Sequence, residues 1–190
     1  MKEAEIVTQI NTDLKSGQFD SKKFQKGRFS GIAELVGRKT ETVPAIIDNN
    51  GNETVLVIND IYPFEVYHRH TGSNVQEVEG NFGDLVYRQE TAQMLMVVIG
   101  DRKRLKMTKE EIISGILLGM PLELGSAFLT ANSLDNVNII PGDFNLSKED
   151  AWNAEYSTET VKLKPETIFF TLSYNIETRA KIDCIDICES

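Results

Sequence analysis

A continuous run of six apolar residues, from Met94 to Ile99, places the strongest constraint on the fold. The run is too short to cross a membrane, and a strand with one solvent-exposed face would alternate apolar and polar residues. We therefore predict a central strand that is buried on both faces. Gly100 and Asp101 end the run, and residues 102–106 then carry the chain across the surface as a basic turn.

The segment after this turn predicts an amphipathic helix. Thr108 lies three residues before Glu111, the spacing at which a hydroxyl and a carboxylate each satisfy a backbone N–H at the start of a helix. Pro121 ends the pattern, because proline cannot continue a helix. The predicted apolar face consists of Ile112, Ile113, Ile116, Leu117 and Met120. This helix, packed against the central strand, would form the core.

The remaining patterns predict further helices and strands. Glu3–Leu14 has the apolar stripe of a helix, and the Asn50-Gly51 pair separates the two halves of a hairpin, Val43–Ile47 and Thr54–Ile58. Residues 71–90 are rich in glycine, asparagine and acidic side chains, which indicates a surface loop or arm. Shorter strands are predicted at Ile32–Val36, Tyr62–His70 and Val137–Ile140, and short helices around Phe128 and after Ser147, the latter carrying Trp152 and Tyr156.

The last predicted element, Ile168–Cys184, alternates apolar and polar residues over seventeen positions. A straight strand of this length would span ~55 Å, whereas a compact domain of this size is only ~40 Å across. The strand must therefore bend, turn into a hairpin or extend to a partner, for which an identical subunit is the simplest source. Residues 168–188 could thus form one strand or two.

These patterns together predict an α+β fold. We expect a single domain over residues 1–190, with a mixed or antiparallel β-sheet, helices packed on it, an N-terminal helix and a long C-terminal strand.

Composition excludes some classes of function. Twenty basic and twenty-nine acidic residues give a net charge of −9, which argues against general binding to duplex DNA because phosphate contacts need clustered cations. We find neither a signal peptide nor an apolar segment of the ~18 residues that a membrane helix needs. Cys184 and Cys188 would lie ~13 Å apart in a strand, too far for a disulfide. A reduced intracellular protein without a membrane partner is expected.

The two histidines, His68 and His70, are the candidate metal ligands. They share one face of a predicted strand, but a catalytic metal site needs a third protein ligand. Nearby acidic residues, Glu65, Glu77, Glu79 and Asp84, have no spacing that identifies one of them. We therefore predict no metal, no cofactor and no catalytic residue.

Arg102, Lys103, Arg104 and Lys106 form the dense basic cluster of the sequence, at the end of the predicted central strand. They lack the glycine-rich loop that usually cradles a phosphate. We predict that they form a solvated turn or contact acidic residues of a neighbouring subunit. Ile182 and Cys184, at the end of the long last strand, are predicted to contact a neighbouring subunit as well.

The order of elements resembles the tail-terminator and connector-ring proteins of tailed bacteriophages. The similarity rests on the N-terminal helix, the early hairpin, the central strand with its amphipathic helix, the short helix with Trp152 and the long closing strand. It implies a non-catalytic virion subunit, assembled in the host cytoplasm, that closes into a homo-oligomeric ring beside portal, connector or tail proteins. An acidic lumen would let DNA pass without sequence-specific binding. The alternatives are a small metal-dependent enzyme using His68 and His70, and a monomeric binding module.

Overall fold

The computed structural model describes residues 2–16, 27–38, 41–48, 50–56, 62–79, 86–156 and 165–181. Within these ranges the chain forms one α+β domain, so the predicted fold class is confirmed. None of the helices in the described part is long and apolar enough to span a membrane. The elements are α1 Glu3–Ser16, β1 Arg28–Ile32, β2 Glu34–Arg38, β3 Glu41–Ile47, β4 Glu53–Val55, β5 Phe64–Glu79, β6 Val86–Asp101, α2 Arg102–Leu105, α3 Lys109–Gly119, α4 Ser126–Asn132, β7 Asn136–Asn145, α5 Lys148–Glu155 and β8 Thr167–Lys181.

The main sheet has five strands in the order β1-β5-β6-β8-β7, with β6 in the middle. Only the β1–β5 pair is parallel among these neighbours. One face of the sheet packs against α1 and α3, and the other packs against α5 and a second sheet, β2-β3-β4. Met96 and Val98 contact the first layer, while Val97 and Ile99 contact the second. The predicted burial of the central strand on both faces is confirmed, because each face has its own covering layer.

Helix α3 begins as predicted. Thr108 accepts a hydrogen bond from the Glu111 N–H, and the Glu111 carboxylate accepts one from the Thr108 N–H. The predicted apolar face is only partly correct, because Leu117 is 44% exposed. The buried stripe runs through Ile112 and Ile116, and Leu117 is rotated by about 100° from Ile116 around the helix.

Two predicted boundaries are wrong. The interpretation of residues 71–90 as a loop fails because 71–79 belong to β5 and 86–90 to β6, while 80–85 lie outside the described residues. These strand segments are polar and lack the alternation from which strands are recognised. The predicted strand Val137–Ile140 is too short, because β7 continues past Pro141 and Gly142 to Asn145 through an irregularity in its pairing with β8.

Strand β8 does not need a neighbouring subunit to pair its backbone up to Lys181. It is a single strand of 15 residues that pairs with β6 from Thr167 to Lys181 and with β7 from Thr171 to Arg179. The sequence interpretation missed this because it did not recognise β5 and β6 as strands of 16 residues each. Residues 182–190, with Ile182 and Cys184, lie outside the described residues.

Candidate functional site

The two predicted metal ligands lie in different environments. His68 is fully buried, whereas the His70 side chain is 37% exposed and its Nε2 lies 3.7 Å from Glu3 Oε1. His68 Nε2 lies 3.0 Å from Asn11 Oδ1, and Nδ1 lies 2.8 Å from the Tyr174 hydroxyl. No group of three or more potential metal ligands occurs among the described residues.

The hydrogen bonds of Asn11 assign the tautomer of His68. Asn11 Nδ2 donates to the Ser30 carbonyl at 2.9 Å, so Asn11 Oδ1 is left to accept from His68 Nε2–H. His68 Nδ1 then accepts from the Tyr174 hydroxyl, and its lone pair is engaged. In this arrangement His68 connects α1 to the sheet and has no nitrogen left to bind a metal.

The burial of His68 predicts a loss of stability in acid. Burial lowers its pKa from 6.5 to about 3, so between these pH values the unfolded chain binds a proton that the folded chain does not. The stabilising contribution is therefore complete above pH 6.5 and decreases as the pH falls, by up to about 1.4 kcal/mol per pH unit. Urea unfolding from pH 7 to pH 4 measures this slope.

A His68→Gln variant is the matched control for this slope. Glutamine does not titrate, yet its amide can donate to Asn11 and accept from Tyr174. The carboxylates make the same contribution to the pH dependence of stability in both proteins. The difference between the two slopes is therefore due to His68. Equal slopes in wild type and variant would contradict a neutral, buried His68.

A second buried polar cluster lies on the opposite face of β5. The Glu155 side chain is fully buried, and Oε1 lies 2.6 Å from Arg69 Nη1. The Tyr67 hydroxyl donates to Glu155 Oε2 at 3.2 Å, and Tyr156 donates to the Leu56 carbonyl at 3.1 Å. Burial raises the pKa of Glu155, and Arg69 opposes this increase. The cluster joins β5 to the end of α5.

Glu65 extends the same face of β5. Its carboxylate is buried beside Arg28, whose Nε lies 3.5 Å from Glu65 Oε1, and burial raises the pKa of Glu65. Arg69, at the other end of this row, also lines a cavity of about 480 Å³ together with Glu3 and His70. Each carboxylate of this row thus has an arginine beside it, although the buried Glu65 Oε1 accepts no hydrogen bond from the described residues. We interpret the row as structural.

The Glu155 cluster has no local signal in the sequence. Alternate residues of the predicted strand Tyr62–His70 lie on one face, which places Tyr67 and Arg69 together, and both contact Glu155. The partner is 86 residues away from Arg69, on a helix whose contact with the sheet no local pattern indicates.

Of the predicted interface residues, only the basic cluster lies in the part of the chain that the structure describes. Arg102, Lys103 and Arg104 are exposed at the end of β6, where Asp101 pairs with Thr167. Lys181 lies at the other end of β8, about 45 Å away along the strand. Lys103 Nζ lies 3.6 Å from Glu166 Oε1, so an acidic residue of its own chain is already its neighbour.

Part of β5 forms an exposed edge of the main sheet. Strand β1 pairs with β5 only from Glu65 to His68, and no described strand continues along that side. We call residues Ser73–Glu77 the open edge. All five of its side chains are exposed, and Val75 retains 51% of its accessible surface. This edge offers backbone hydrogen-bonding groups to another extended segment.

The strands next to the open edge are well packed. Opposite it, Ala92 on β6 and Ile176 and Thr178 on β8 are buried. The pairing of β5 with β6 shifts by one residue between His70 and Gly72, just before the open edge begins. The edge is therefore an exposed margin of an otherwise well-packed sheet.

Comparison with known proteins assigns no family. No protein-family model matches the sequence, and a search of curated proteins found no match. The resemblance to phage tail-terminator and connector-ring proteins therefore stays a prediction.

Proposed function

We propose that the protein is a structural subunit that assembles with copies of itself, in the manner of the phage neck and tail rings that its order of elements resembles. The observation that carries the proposal is the open edge of β5. An exposed edge strand is a template for pairing with another chain, and monomeric proteins usually blunt such edges.

Strand β7, at the other side of the main sheet, shows what a protected edge looks like in this protein. The Ile139 N–H donates to the Leu122 carbonyl at 2.8 Å, and Glu123 forms an isolated bridge with Asn138. Pro141 and the irregularity that follows it interrupt the edge further along. The open edge of β5 has neither a proline nor a covering segment among the described residues. This contrast supports β5 as the assembly side of the sheet.

The charge of the chain fits the same role. A net charge of −9 gives an assembled ring an acidic character, and an acidic lumen repels the DNA backbone instead of binding it. DNA would then pass through such a ring without sequence-specific contacts. In this proposal the neighbouring proteins are portal, connector or tail proteins of the same particle, and the protein itself catalyses no reaction.

We expect the purified protein to form discrete oligomers at micromolar concentration. Analytical ultracentrifugation and native mass spectrometry would give a mass that is an integral multiple of the chain, and negative-stain microscopy would show whether the particles are closed rings. A monomer that persists at 100 µM and remains monomeric beside candidate neck proteins would contradict the proposal. A monomer would favour the alternative of a binding module.

A further inference from the structure

We infer that the partner of the open edge is the open edge of a second copy, paired antiparallel about a two-fold axis at Val75. This inference rests on the proposed self-assembly and specifies the surface that performs it. It follows from two properties of Ser73–Glu77: the direction of its backbone groups and the side chains that the pairing would bring together.

The pairing of β6 determines which backbone groups are available. The Asp101 N–H donates to the Pro63 carbonyl, so Asp101 directs its backbone groups towards the β5 side. Backbone directions alternate along a strand, so the even-numbered residues of β6, including Glu90, face β8. Val75 is paired with Glu90. In an antiparallel pair, the backbone N–H and C=O groups of two opposite residues either all point towards the partner strand or all point away from it. The N–H and C=O of Val75 therefore point away from β6, in the plane of the sheet, towards its open side.

The same alternation makes Ser73 and Glu77 outward-facing. Three residues thus present N–H and C=O groups at regular spacing along the open edge. Pairing two such edges about Val75 forms three reciprocal pairs: Val75 with Val75, and Ser73 with Glu77 twice. Each reciprocal pair exchanges two backbone hydrogen bonds. The complete set of outward groups is satisfied by a single antiparallel partner.

The side chains are compatible with this register. It brings the two half-exposed Val75 side chains together and places each Glu77 opposite a serine. On the other face Asn74 lies opposite Gln76, which adds no charge. A register centred on Glu77 would instead place the two carboxylates against each other, which is unfavourable. The charge pattern of the edge therefore favours Val75 over Glu77 as the centre.

A contact of this kind is isologous, so it joins subunits in pairs. A ring needs a second, different contact to close. If every subunit uses the open edge, the assembled particle contains an even number of subunits.

A proline at position 75 tests the contact. Val75→Pro removes an N–H that β6 does not use, so we expect the melting temperature of the isolated subunit to stay close to that of wild type. Pairing should weaken by at least about thirtyfold, because both copies lose a central hydrogen bond and the proline rings collide. Val75→Thr is the matched control, since it keeps the N–H and the branched side chain. Sedimentation equilibrium measures all three proteins.

A cysteine at the same position tests the register. In a Cys184→Ser, Cys188→Ser background, Val75→Cys should form a disulfide-linked dimer under mild oxidation, because reciprocal residues lie about 5.5 Å apart between Cα atoms. Glu77→Cys is the control, since two copies of position 77 would lie about 14 Å apart in this register. Efficient cross-linking through position 77 but not 75 would overturn the register.

These experiments separate the inference from the proposed function. If wild type assembles and Val75→Pro assembles equally well, the open edge is not the contact, although self-assembly stands. If wild type is monomeric at all concentrations and Val75→Cys forms no dimer, both the inference and the proposed function fail. Weakened pairing by Val75→Pro together with cross-linking through position 75 supports both.

Discussion

Replacing Val98 with aspartate is expected to remove the cooperative unfolding transition altogether. Val98 is fully buried in the middle of β6, between Val66 on β5 and Phe170 on β8. Its side chain belongs to the apolar cluster under α1 and α3. Burying an unpaired charge costs several kcal/mol, which is comparable with the total stability of a domain.

Circular dichroism and the soluble fraction after expression measure this outcome. Val98→Ala is the control, because it leaves a cavity without introducing charge and should cost only about 1–3 kcal/mol. If Val98→Asp melts within a few degrees of wild type, β6 is not the sealed centre of the sheet. If Val98→Asp lowers the free energy of unfolding by no more than Val98→Ala does, the carboxylate is not buried.

Replacing Arg69 with methionine is expected to cost about 3 kcal/mol of the free energy of unfolding at pH 8. Methionine keeps much of the packing of the arginine stem but leaves the buried Glu155 carboxylate without its cation. Breaking a buried ion pair from one side is more costly than replacing both partners, because a lone charge stays desolvated. Urea unfolding would measure the loss.

The pH dependence identifies Glu155 as the cause. In the Arg69→Met variant, burial keeps the folded-state pKa of Glu155 above its unfolded value, and the opposing arginine is gone. The folded state then binds more protons than the unfolded state between these two pKa values, so acidification restores stability relative to wild type. We expect the difference between the two proteins to be largest at pH 8 and smaller at pH 5.

An Arg69→Met, Glu155→Gln double variant tests the same assignment without the charge. Glutamine keeps a hydrogen-bond acceptor for the Tyr67 hydroxyl and carries no charge. The double variant should therefore be more stable than Arg69→Met alone. A double variant that is less stable would show that the arginine stabilises the fold through packing and not through the carboxylate.

Several elements could be predicted because their signals are local. The Met94–Ile99 run required a strand covered on both sides, and the Thr108–Glu111 pair identified the start of α3. The hairpin around Gly51 was identified in the same way, since only a turn residue explains the interruption between two apolar segments. Each of these signals depends on residues within about ten positions of one another.

The polar sites could not be predicted to the same extent. The sequence placed His68 and His70 on one strand face, but the partners of His68 lie 57 and 106 positions away, on α1 and β8. A histidine that bonds to Asn11 and Tyr174 and one that binds a metal have the same local sequence. Only the packing of α1 against the sheet decides between them.

The sequence by itself determined the fold class, the central position of β6 and the start of α3. Burial of apolar side chains dominates folding and gives the chain a periodic apolar pattern, and the capping residues of a helix lie close together in the sequence. The tertiary structure alone decided which strand has an unpaired edge. The length of β8 suggested that it needed a partner, yet β6 and β7 pair it up to Lys181 and Arg179, and the open edge lies on β5. Every residue except proline has the same backbone N–H and C=O groups. The register of strands distant in sequence, and the edge that it leaves open, therefore have no local signature.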